Sequence, residues 1–183
     1  LEKTIKKPFS AAELEALRVN CTELRDRALV EFLYSTGVRV SELVSLNVGD
    51  IEMGKQELIV YGKGSKERKT YLTDSAKFYL RRYLRTRERE GLESKPLFVT
   101  LDKPHDRLTV AGVQHTLRQL GKRAKVENTH PHRFRRTIAT DLLNRGMPIE
   151  QVKEFLGHEK LDTTMIYCSI RQEGVQASHK KYA

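Results

Sequence analysis

Signals that start and stop helices recur along this 183-residue chain, and they restrict it to a mainly helical fold. Ser10 and Glu13 have the spacing of a capping box, in which each side chain accepts from the other residue's backbone N–H, so a helix is predicted to about Asn20. Apolar side chains at helical spacing predict a second helix over 23–36, and Gly37 follows as its stop. The start of the chain is therefore predicted to be a pair of helices.

The same signals continue to the C-terminal third. Thr73 or Asp74 can cap a long helix, Thr109 can cap another, and prolines stand where the last two helices begin. A glycine follows each of those two helices as its stop. The further predicted helices are a short one within 38–51 that runs into a turn, then 74–90, 109–125, 131–146 and 148–157.

A pair of strand signals interrupts the helices. The β-branched run 57–61 and the segment 68–72 flank the glycine turn 62-GKGSKE-67, which predicts an antiparallel hairpin rather than a βαβ unit. The segment 96–100 predicts one more short strand. The expected fold class is therefore α+β, mostly α, with a small antiparallel β-sheet on one edge of a helical core.

The charge of the chain indicates a polyanionic partner. Its formal charge is +10 and its isoelectric point is about 9.7, which favours nucleic acid first and a membrane surface second. No apolar run approaches the roughly 20 residues of a membrane span, and no signal peptide is visible. Cys21 and Cys168 are too few for a disulfide framework in a chain of this length, so a reducing cytosol is expected.

Residues suited to phosphate chemistry are concentrated in the C-terminal third. His132 and Arg135 are three residues apart, so on a helix they share one face. His158 opens a second short segment, and Tyr167 lies on a third. A phenol beside a histidine and an arginine is a candidate nucleophile, and its target is an anion.

The distribution of acidic residues argues against a metal-dependent nuclease site. Such sites cluster carboxylates around Mg²⁺, whereas here Asp and Glu are dispersed and mostly lie beside Lys or Arg. His130, His132 and His158 suggest zinc, but no cysteine or acid completes a tetrahedral set. Neither a metal nor another cofactor is expected, and His115 and His130 are expected to be ordinary surface or core residues.

Arginines, rather than a metal ion, are expected to bind the phosphate group that the nucleophile attacks. The forked guanidinium groups of Arg39 and Arg135 can bind nonbridging phosphate oxygens through two parallel bonds. Arg39 follows the break at Gly37 and precedes Glu42 by three residues, which favours a buried guanidinium steadied by that carboxylate. Glu42 is then a supporting residue rather than a solvated one.

Five segments resemble the catalytic domain of the tyrosine recombinases, the phage-integrase family, which is related in fold and chemistry to type IB topoisomerases. Two intervals also match the family pattern: Arg135 to His158 is 23 residues (158 − 135), and His158 to Tyr167 is 9 (167 − 158). The resemblance covers nearly the whole chain. The segments are 35-STGVRVSELVSL-46, 61-YGKGSKERKTYL-72, 132-HRFRRTIATDLL-143, 156-LGH-158 and 161-LDTTMIY-167.

The resemblance implies a helical tyrosine-recombinase catalytic core that usually follows a separate N-terminal DNA-binding domain. The chain starts at Leu1 rather than Met, which agrees with an absent upstream domain, so 1–9 is expected to be the end of an interdomain linker. The catalytic domain is then expected over 10–170. The C-terminal tail 171–183 is expected to pack on a neighbouring protomer.

The resemblance also implies roles for single residues. Tyr167 is the implied nucleophile, and Lys63 rather than Lys66 is the implied general acid on the glycine hairpin. Glu42 is the supporting carboxylate. The implied catalytic residues are Arg39, Lys63, His132, Arg135, His158 and Tyr167. The expected DNA contacts are Lys66, Arg68, Lys69, Arg133 and Arg136.

The implied activity is site-specific DNA strand exchange by a recombinase or integrase. Tyr167 would attack the scissile phosphate and leave a covalent 3′-phosphotyrosyl link with a free 5′ hydroxyl. Bond energy is conserved in that link, so neither ATP nor a metal is needed. Pairwise exchange implies four protomers around two double-stranded DNA sites, with Val175 and Tyr182 as anchors of the tail. The expected location is the cytosol of a bacterium or archaeon, at the nucleoid, with no membrane.

Two other classes use overlapping features. A type IB topoisomerase would use the same tyrosine to relax supercoils as a monomer, but the short chain and the segment 132-HRFRRT-137 favour a recombinase. A non-catalytic DNA-binding module is disfavoured because every expected catalytic position is filled. Transposon integrases, phage integrases and chromosome-dimer resolvases share these motifs, so the subtype and the target sequence stay open.

Overall fold

The computed structural model describes residues 7–157 and 175–183, and within these ranges one β-hairpin accompanies a set of helices, so the mostly helical α+β class is confirmed. None of the helices so described is long and apolar enough to cross a membrane. The helices are α1 (Ala11–Val19), α2 (Leu24–Thr36), α3 (Val40–Ser45), α4 (Asp74–Arg89), α5 (Val110–Ala124), α6 (Pro131–Asn144), α7 (Ile149–Leu156) and α8 (175–182). The strands are β1 (Glu57–Tyr61) and β2 (Glu67–Tyr71).

The start of α1 and the end of α2 are formed by the residues that the sequence predicts. Ser10 Oγ accepts from the backbone N–H of Glu13 at 3.1 Å, and Glu13 Oε1 accepts from the backbone N–H of Ser10 at 3.0 Å. Gly37 closes α2 in the left-handed conformation (φ 59°), which a side chain would disfavour. This turn directs the chain into α3, with Arg39 as the N-cap residue.

The helix α2 is central to the core. Ala28, Phe32 and Leu33 of its predicted apolar face are buried, while Leu24 is half-buried. The helices α4 and α6 pack against it, and β2 also contacts it. Because these elements share one partner, α2 fixes where α6 and the hairpin lie relative to each other.

The strands β1 and β2 form the predicted antiparallel hairpin, and β2 starts at Glu67, one residue before the predicted bound. Side chains alternate along β1, so Leu58 and Val60 are buried between exposed neighbours. Thr70 Oγ1 donates to Thr36 O at 2.6 Å, which attaches the buried face of the hairpin to the end of α2. The hairpin is therefore anchored beside the start of α3.

The strand predicted at 96–100 is wrong. The chain there makes isolated bridges, Asn47 to Pro96 and Val99 to Arg107, in place of a strand. Its apolar residues are buried as those of a strand would be. Each end of the segment meets a different partner, however, so no ladder of consecutive pairs can form.

The charged run 81–89 on α4 includes one buried arginine. Arg87 is buried, and its Nη1 donates to the carbonyls of Pro96 and Leu97, both at 2.8 Å. It follows the buried Tyr83 by four residues, so it shares the inward face of α4. Arg87 therefore satisfies carbonyl groups of a buried loop that would otherwise lack partners.

The C-terminal tail contains the helix α8. Val175 and Tyr182, the expected anchors of the tail, are exposed in it. Residues 158–174, which precede this helix, lie outside the described residues. Packing of the tail on a neighbouring protomer therefore stays a prediction.

Candidate functional site

A cleft of about 1590 Å³ lies between the hairpin and the helices α3, α6 and α7. Its hairpin side is basic, and its side toward α6 and α7 includes apolar residues such as Leu142 and Phe155. The structure therefore gathers the cations predicted in the first half of the chain around one cleft. The predicted site residues that line it are Arg39, Glu42, Lys63, Lys66, Arg68 and Lys69.

Arg39 reaches the cleft from the N-terminus of α3. Its backbone is extended (φ −71°, ψ 152°), as is usual for an N-cap residue, and its Nη1 donates to Glu42 Oε1 at 2.8 Å. The side chain of Arg39 is 26% exposed, whereas that of Glu42 is 2% exposed. The pair expected from the spacing therefore forms, but the carboxylate is its buried member and the guanidinium borders the cleft.

Glu42 is held from two sides. Its Oε1 accepts from Arg39, and its Oε2 accepts from Arg68 Nη2. A buried carboxylate without such partners would strongly destabilise the fold. Among the described residues, Glu42 therefore joins the two guanidinium groups of Arg39 and Arg68 beside the cleft.

Arg68 lies on β2 with its guanidinium buried. Its side chain is 8% exposed, and its Nη1 donates to Phe155 O at 2.8 Å in addition to the bond with Glu42. The sequence predicts a phosphate contact at this position, with Lys66 and Lys69. The structure instead gives the guanidinium a carboxylate and a carbonyl as partners, and this burial favours a positioning role.

Arg135 joins the ends of two helices. It is buried, and it donates through Nη1 to Gly37 O at 2.5 Å and through Nη2 to Leu156 O at 2.9 Å. Gly37 follows the last residue of α2, and Leu156 is the last residue of α7. The last carbonyl groups of a helix lack partners within it and carry the negative end of its dipole, so a guanidinium is a favourable partner there.

Arg68 and Arg135 bind consecutive carbonyl groups in the last turn of α7. Gly157 follows that turn in the left-handed conformation (φ 82°). A Cβ at Gly157 would lie 2.6 Å from Arg68 Cδ and 3.8 Å from Arg39 Nη1, so a larger residue would collide with Arg68. Three of the predicted cations therefore gather around the end of α7.

His158 and Tyr167 continue the chain from this point. Both lie in 158–174, outside the described residues, so their roles stay predictions. The structure does describe where their segment begins, because Gly157 lies beside Arg39 and Arg68. His158 therefore follows directly after the residue around which the cations gather.

The histidines named from the sequence that the structure describes, His115, His130 and His132, lie on α5 and at the start of α6. His132 is exposed, one turn before Arg135, and its ring centroid is 6.5 Å from that of His130, the N-cap residue of α6. His115 is exposed on α5. The described residues that line the cleft do not include His132. Within those same ranges, no group of three or more His, Cys, Asp and Glu side chains could hold a metal ion.

Lys63 and Lys66 both lie exposed at the tip of the hairpin. The 3₁₀ turn Lys63–Ser65 forms this tip, and the backbone N–H of Gly62 donates to Lys66 O at 2.9 Å across it. A Cβ at Gly62 would lie 3.8 Å from Arg39 Nη1, so the tip borders the Arg39 side of the cleft. Both lysines therefore line this side of the cleft.

Arg133 holds the segment 7–13 against α6. It donates to the carboxylate of Glu13 at 3.1 and 3.2 Å, to Glu127 O at 2.6 Å and to Lys7 O at 3.1 Å. Its guanidinium also lies over the ring of Phe9, 4.3 Å from the centroid. The sequence predicts a DNA contact here, but these bonds and the burial of Arg133 favour a structural clamp.

Lys69 and Arg136 complete the predicted DNA contacts. Lys69 is exposed on β2, and its Nζ lies 3.6 Å from Glu57 Oε2 across the hairpin. Arg136 is half-buried on α6. Among the predicted DNA contacts, the lysines are therefore the exposed members.

Sequence reasoning missed Arg107, which supports the helix that carries Glu42. Arg107 Nη1 donates to Val44 O and Leu46 O, both at 2.9 Å, and its Nη2 donates to Asn47 Oδ1 at 2.5 Å. These acceptors end α3 and the turn after it. The two carbonyls lie 63 and 61 residues from Arg107 in the chain, so no local sequence signal marks the contact.

Comparison with known proteins agrees with the resemblance seen in the sequence. Residues 6–173 match the model of the phage integrase family. The chain is 40% identical over 161 residues to tyrosine recombinase XerC of Leptospira interrogans, an alignment that covers 87% of this chain and 51% of the relative. The chain thus spans about half the length of that curated relative.

Solved structures share the fold. The crystal structure of XerA recombinase has a TM-score of 0.81 at 28% identity, with 94% of this chain and 65% of that chain covered. A post-cleavage complex of the XerH site-specific recombinase with a palindromic difH substrate has a TM-score of 0.74 at 23% identity, with 96% and 53% covered. Because the family model matches nearly the whole chain and the fold is shared, this chain belongs to the phage integrase family.

Proposed function

We propose that this chain is the catalytic part of a site-specific DNA recombinase or integrase that breaks and rejoins DNA through a covalent 3′-phosphotyrosyl intermediate. The observation that carries the proposal is the gathering of Arg39, Arg68 and Arg135 around Gly157, at the end of α7. Tyr167 follows 10 residues later in the chain (167 − 157). The name of the Leptospira relative, a tyrosine recombinase, supports the same reaction.

The scissile phosphate is proposed to bind in the cleft against Arg39. That side chain is partly exposed and lines the cleft, while Glu42 fixes its direction from behind. Arg135 keeps the ends of α2 and α7 together and adds its positive charge from the protein side. One well-placed donor contributes roughly 3–4 kcal/mol to stabilising the charge that develops in the transition state.

The proposed reaction exchanges one phosphate ester for another. A bond forms between the Tyr167 oxygen and phosphorus while the bond from phosphorus to the 5′ oxygen breaks. The phenolic proton passes to a base, for which His132 and His158 are the candidates, and Lys63 gives a proton to the departing 5′ oxygen. The 5′ hydroxyl of a partner duplex then reverses the step, so the reaction needs neither ATP nor a metal.

Double-stranded DNA is the proposed partner. The chain carries a formal charge of +10, and the hairpin presents three exposed lysines, Lys63, Lys66 and Lys69, at or beside the cleft. The XerH structure, which shares the fold, is bound to a DNA substrate. Because strands are exchanged in pairs, four protomers are proposed around two duplexes. The tail 171–183 is proposed to pack on a neighbouring protomer. A DNA-binding domain is proposed upstream of 1–9. The proposed location is the cytosol, at the nucleoid.

Nicked duplexes test the reaction because the short strand released by cleavage diffuses away and cannot reverse it. A pool with random sequence around the nick removes the need to know the target. The wild-type chain is expected to form a protein–DNA adduct that survives a denaturing gel, and to do so in EDTA. Tyr167→Phe removes only the phenolic oxygen, so it should abolish the adduct and keep DNA affinity near wild type. An adduct with Tyr167→Phe, or a strict Mg²⁺ requirement, would contradict the proposal.

A further inference from the structure

Arg68 connects three parts of the site that are far apart in the sequence. From β2 its Nη2 donates to Glu42 on α3, 26 residues away, and its Nη1 donates to Phe155 O at the end of α7, 87 residues away. Its stem lies against Gly157, where a Cβ would be 2.6 Å from Cδ and 2.9 Å from Nε. One side chain therefore links the hairpin, the supporting carboxylate and the end of α7.

These bonds leave Arg68 poorly placed to bind DNA. Its side chain is 8% exposed, against 60% for the next residue, Lys69. Movement of the guanidinium into solvent would take away a partner from both Glu42 and the carbonyl of Phe155 in a buried place, which is costly. Lys69 lies on the other face of the strand and can move without that loss.

Arg68 also decides how Glu42 can bind Arg39. Because Arg68 binds Oε2, the bond from Arg39 Nη1 goes to Oε1, at 2.8 Å. A carboxylate prefers to bind a guanidinium through two parallel bonds. Without Arg68, Glu42 can turn both oxygens toward Arg39 and hold it back from a phosphate.

We propose that Arg68 is a positioning residue for DNA cleavage. It binds one oxygen of Glu42, so that Arg39 shares this carboxylate with a second guanidinium and keeps its direction at the cleft. It also fixes the last turn of α7, after which the chain continues to His158. The inference rests on the proposed function, because the role it assigns belongs to the same cleavage step.

Two measurements separate positioning from DNA contact: the single-turnover rate of adduct formation at saturating nicked DNA, and the dissociation constant across a salt series. Arg68→Ala should lower the rate by roughly 100-fold. Its affinity for DNA should stay within about threefold of the wild type, and the slope of log affinity against log salt concentration should not change. Lys69→Ala, the neighbouring residue on the same strand, is the matched control. It should weaken binding and reduce that slope by about 1, which is the pattern of a phosphate contact.

A double variant separates positioning from a merely structural role. Glutamine at position 42 lacks the negative charge that would capture Arg39, so Arg68→Ala/Glu42→Gln should cleave about tenfold faster than Arg68→Ala alone. A contact that only stabilised the fold would make the double variant as slow as the single variant or slower. Should Arg68→Ala fail to fold, Arg68→Leu, which keeps an apolar stem but donates no hydrogen bond, takes its place with the same expectations.

Three outcomes would overturn the inference. Weaker affinity with a flatter salt slope and a normal rate would make Arg68 a phosphate contact. A double variant no faster than the single variant would make it a structural residue. An active wild type with an equally active Arg68→Ala would remove its role altogether. Absence of any adduct with the wild-type chain is a different result, because it would remove the proposed function itself.

Discussion

The end of α7 and the tip of the hairpin are both basic, but the first contains buried arginines and the second contains exposed lysines. At the end of α7, Arg68 and Arg135 are buried, and each binds two acceptors of the protein. At the hairpin tip, Lys63 and Lys66 are exposed and line the cleft. A guanidinium has five donors in a rigid fork and can satisfy several fixed acceptors, whereas an ammonium on a flexible stem suits solvent and a phosphate that comes and goes.

The difference teaches that the net charge of the chain overstates how many of its basic side chains are exposed to DNA. The formal charge of +10 includes Arg25, Arg87, Arg133 and Arg135, and all four are buried. Their donors bind carbonyl groups and carboxylates, so their removal should damage the fold or the site geometry before it damages the attraction to DNA. Lysines of the hairpin, rather than arginines of the interior, are expected to carry the salt dependence of binding.

Among the variants that test this comparison, Lys63→Ala should change the cleavage rate most. It tests whether the exposed lysines take part in chemistry as well as in binding. Lys63→Ala should slow cleavage of normal DNA by roughly 10²–10⁴-fold if its ammonium protonates the leaving 5′ oxygen. Replacement of that oxygen by sulfur should restore the rate, because a 5′-thiolate leaves without a proton. The measurement is the single-turnover cleavage rate on both substrates.

Lys66→Ala is the matched control for Lys63→Ala, since both lysines lie at the hairpin tip and line the cleft. A residue that only binds phosphate should affect the normal and the sulfur substrate equally. Equal defects of Lys63→Ala on the two substrates would remove Lys63 as the general acid. Rescue of Lys66→Ala instead would transfer the role to Lys66.

Arg39→Lys places a lysine in the arginine cluster at the end of α7. It therefore tests directly whether an ammonium group can replace a guanidinium group there. The substitution keeps the charge but loses the fork that can serve Glu42 and a phosphate together. The cleavage rate at saturating DNA should fall by about 10²–10³-fold with little change in affinity. A rate like that of the wild type would show that charge alone is sufficient there and would take Arg39 out of the catalytic set.

Arg133→Ala should act on stability, in line with the structural use of buried arginines. Loss of the guanidinium leaves the carbonyls of Lys7 and Glu127 and the carboxylate of Glu13 without this donor, which should lower the free energy of unfolding by about 2–4 kcal/mol. Arg118→Ala, an exposed arginine on α5, is the control and should change it by less than about 0.5 kcal/mol. Urea unfolding measures both. A stable Arg133→Ala with weakened DNA binding would contradict the clamp.

The smallest expected effect is the pH dependence of the same clamp. The backbone N–H of Ser10, and after it the Arg133 guanidinium, lower the pKa of Glu13 below its ordinary value of 4.5, against the opposing effect of burial. A lowered pKa in the folded state means that Glu13 stabilises the fold above pH 4.5 and that this contribution is lost as the pH falls through the lowered pKa. The unfolding free energy of the wild type should therefore exceed that of Glu13→Gln at neutral pH by under about 1 kcal/mol, and the gap should close in acid. A gap that persists in acid would contradict the ionic contribution of Glu13.

Most helix bounds were predictable because their signals are local. Ser10, Gly37 and Gly157 mark helix ends through contacts within a few residues, and the pair of Arg39 with Glu42 follows from a spacing of three. A pattern of that kind is complete within one stretch of sequence, so it can be recognised without the fold.

The partners of the buried arginines were not predictable. Arg68 and Arg133 have a similar local appearance to Lys66 and Lys69, namely basic residues in basic surroundings. Their acceptors lie up to 87 residues away for Arg68 and up to 126 for Arg133, so only the folded chain brings donor and acceptor together. The predicted DNA contacts at these two positions rested on charge, and charge does not specify burial.

The most direct test of the whole account is to locate the covalent bond in the adduct formed on nicked DNA. After nuclease and trypsin digestion, mass spectrometry should find the residual nucleotide on the peptide 161-LDTTMIYCSIR-171, in which Tyr167 is the single tyrosine. We predict a phosphate ester on the Tyr167 oxygen, joined to the 3′ end of the cleaved strand. A nucleotide on Thr163, on Ser169 or on any other peptide would contradict the assignment of Tyr167 as the nucleophile.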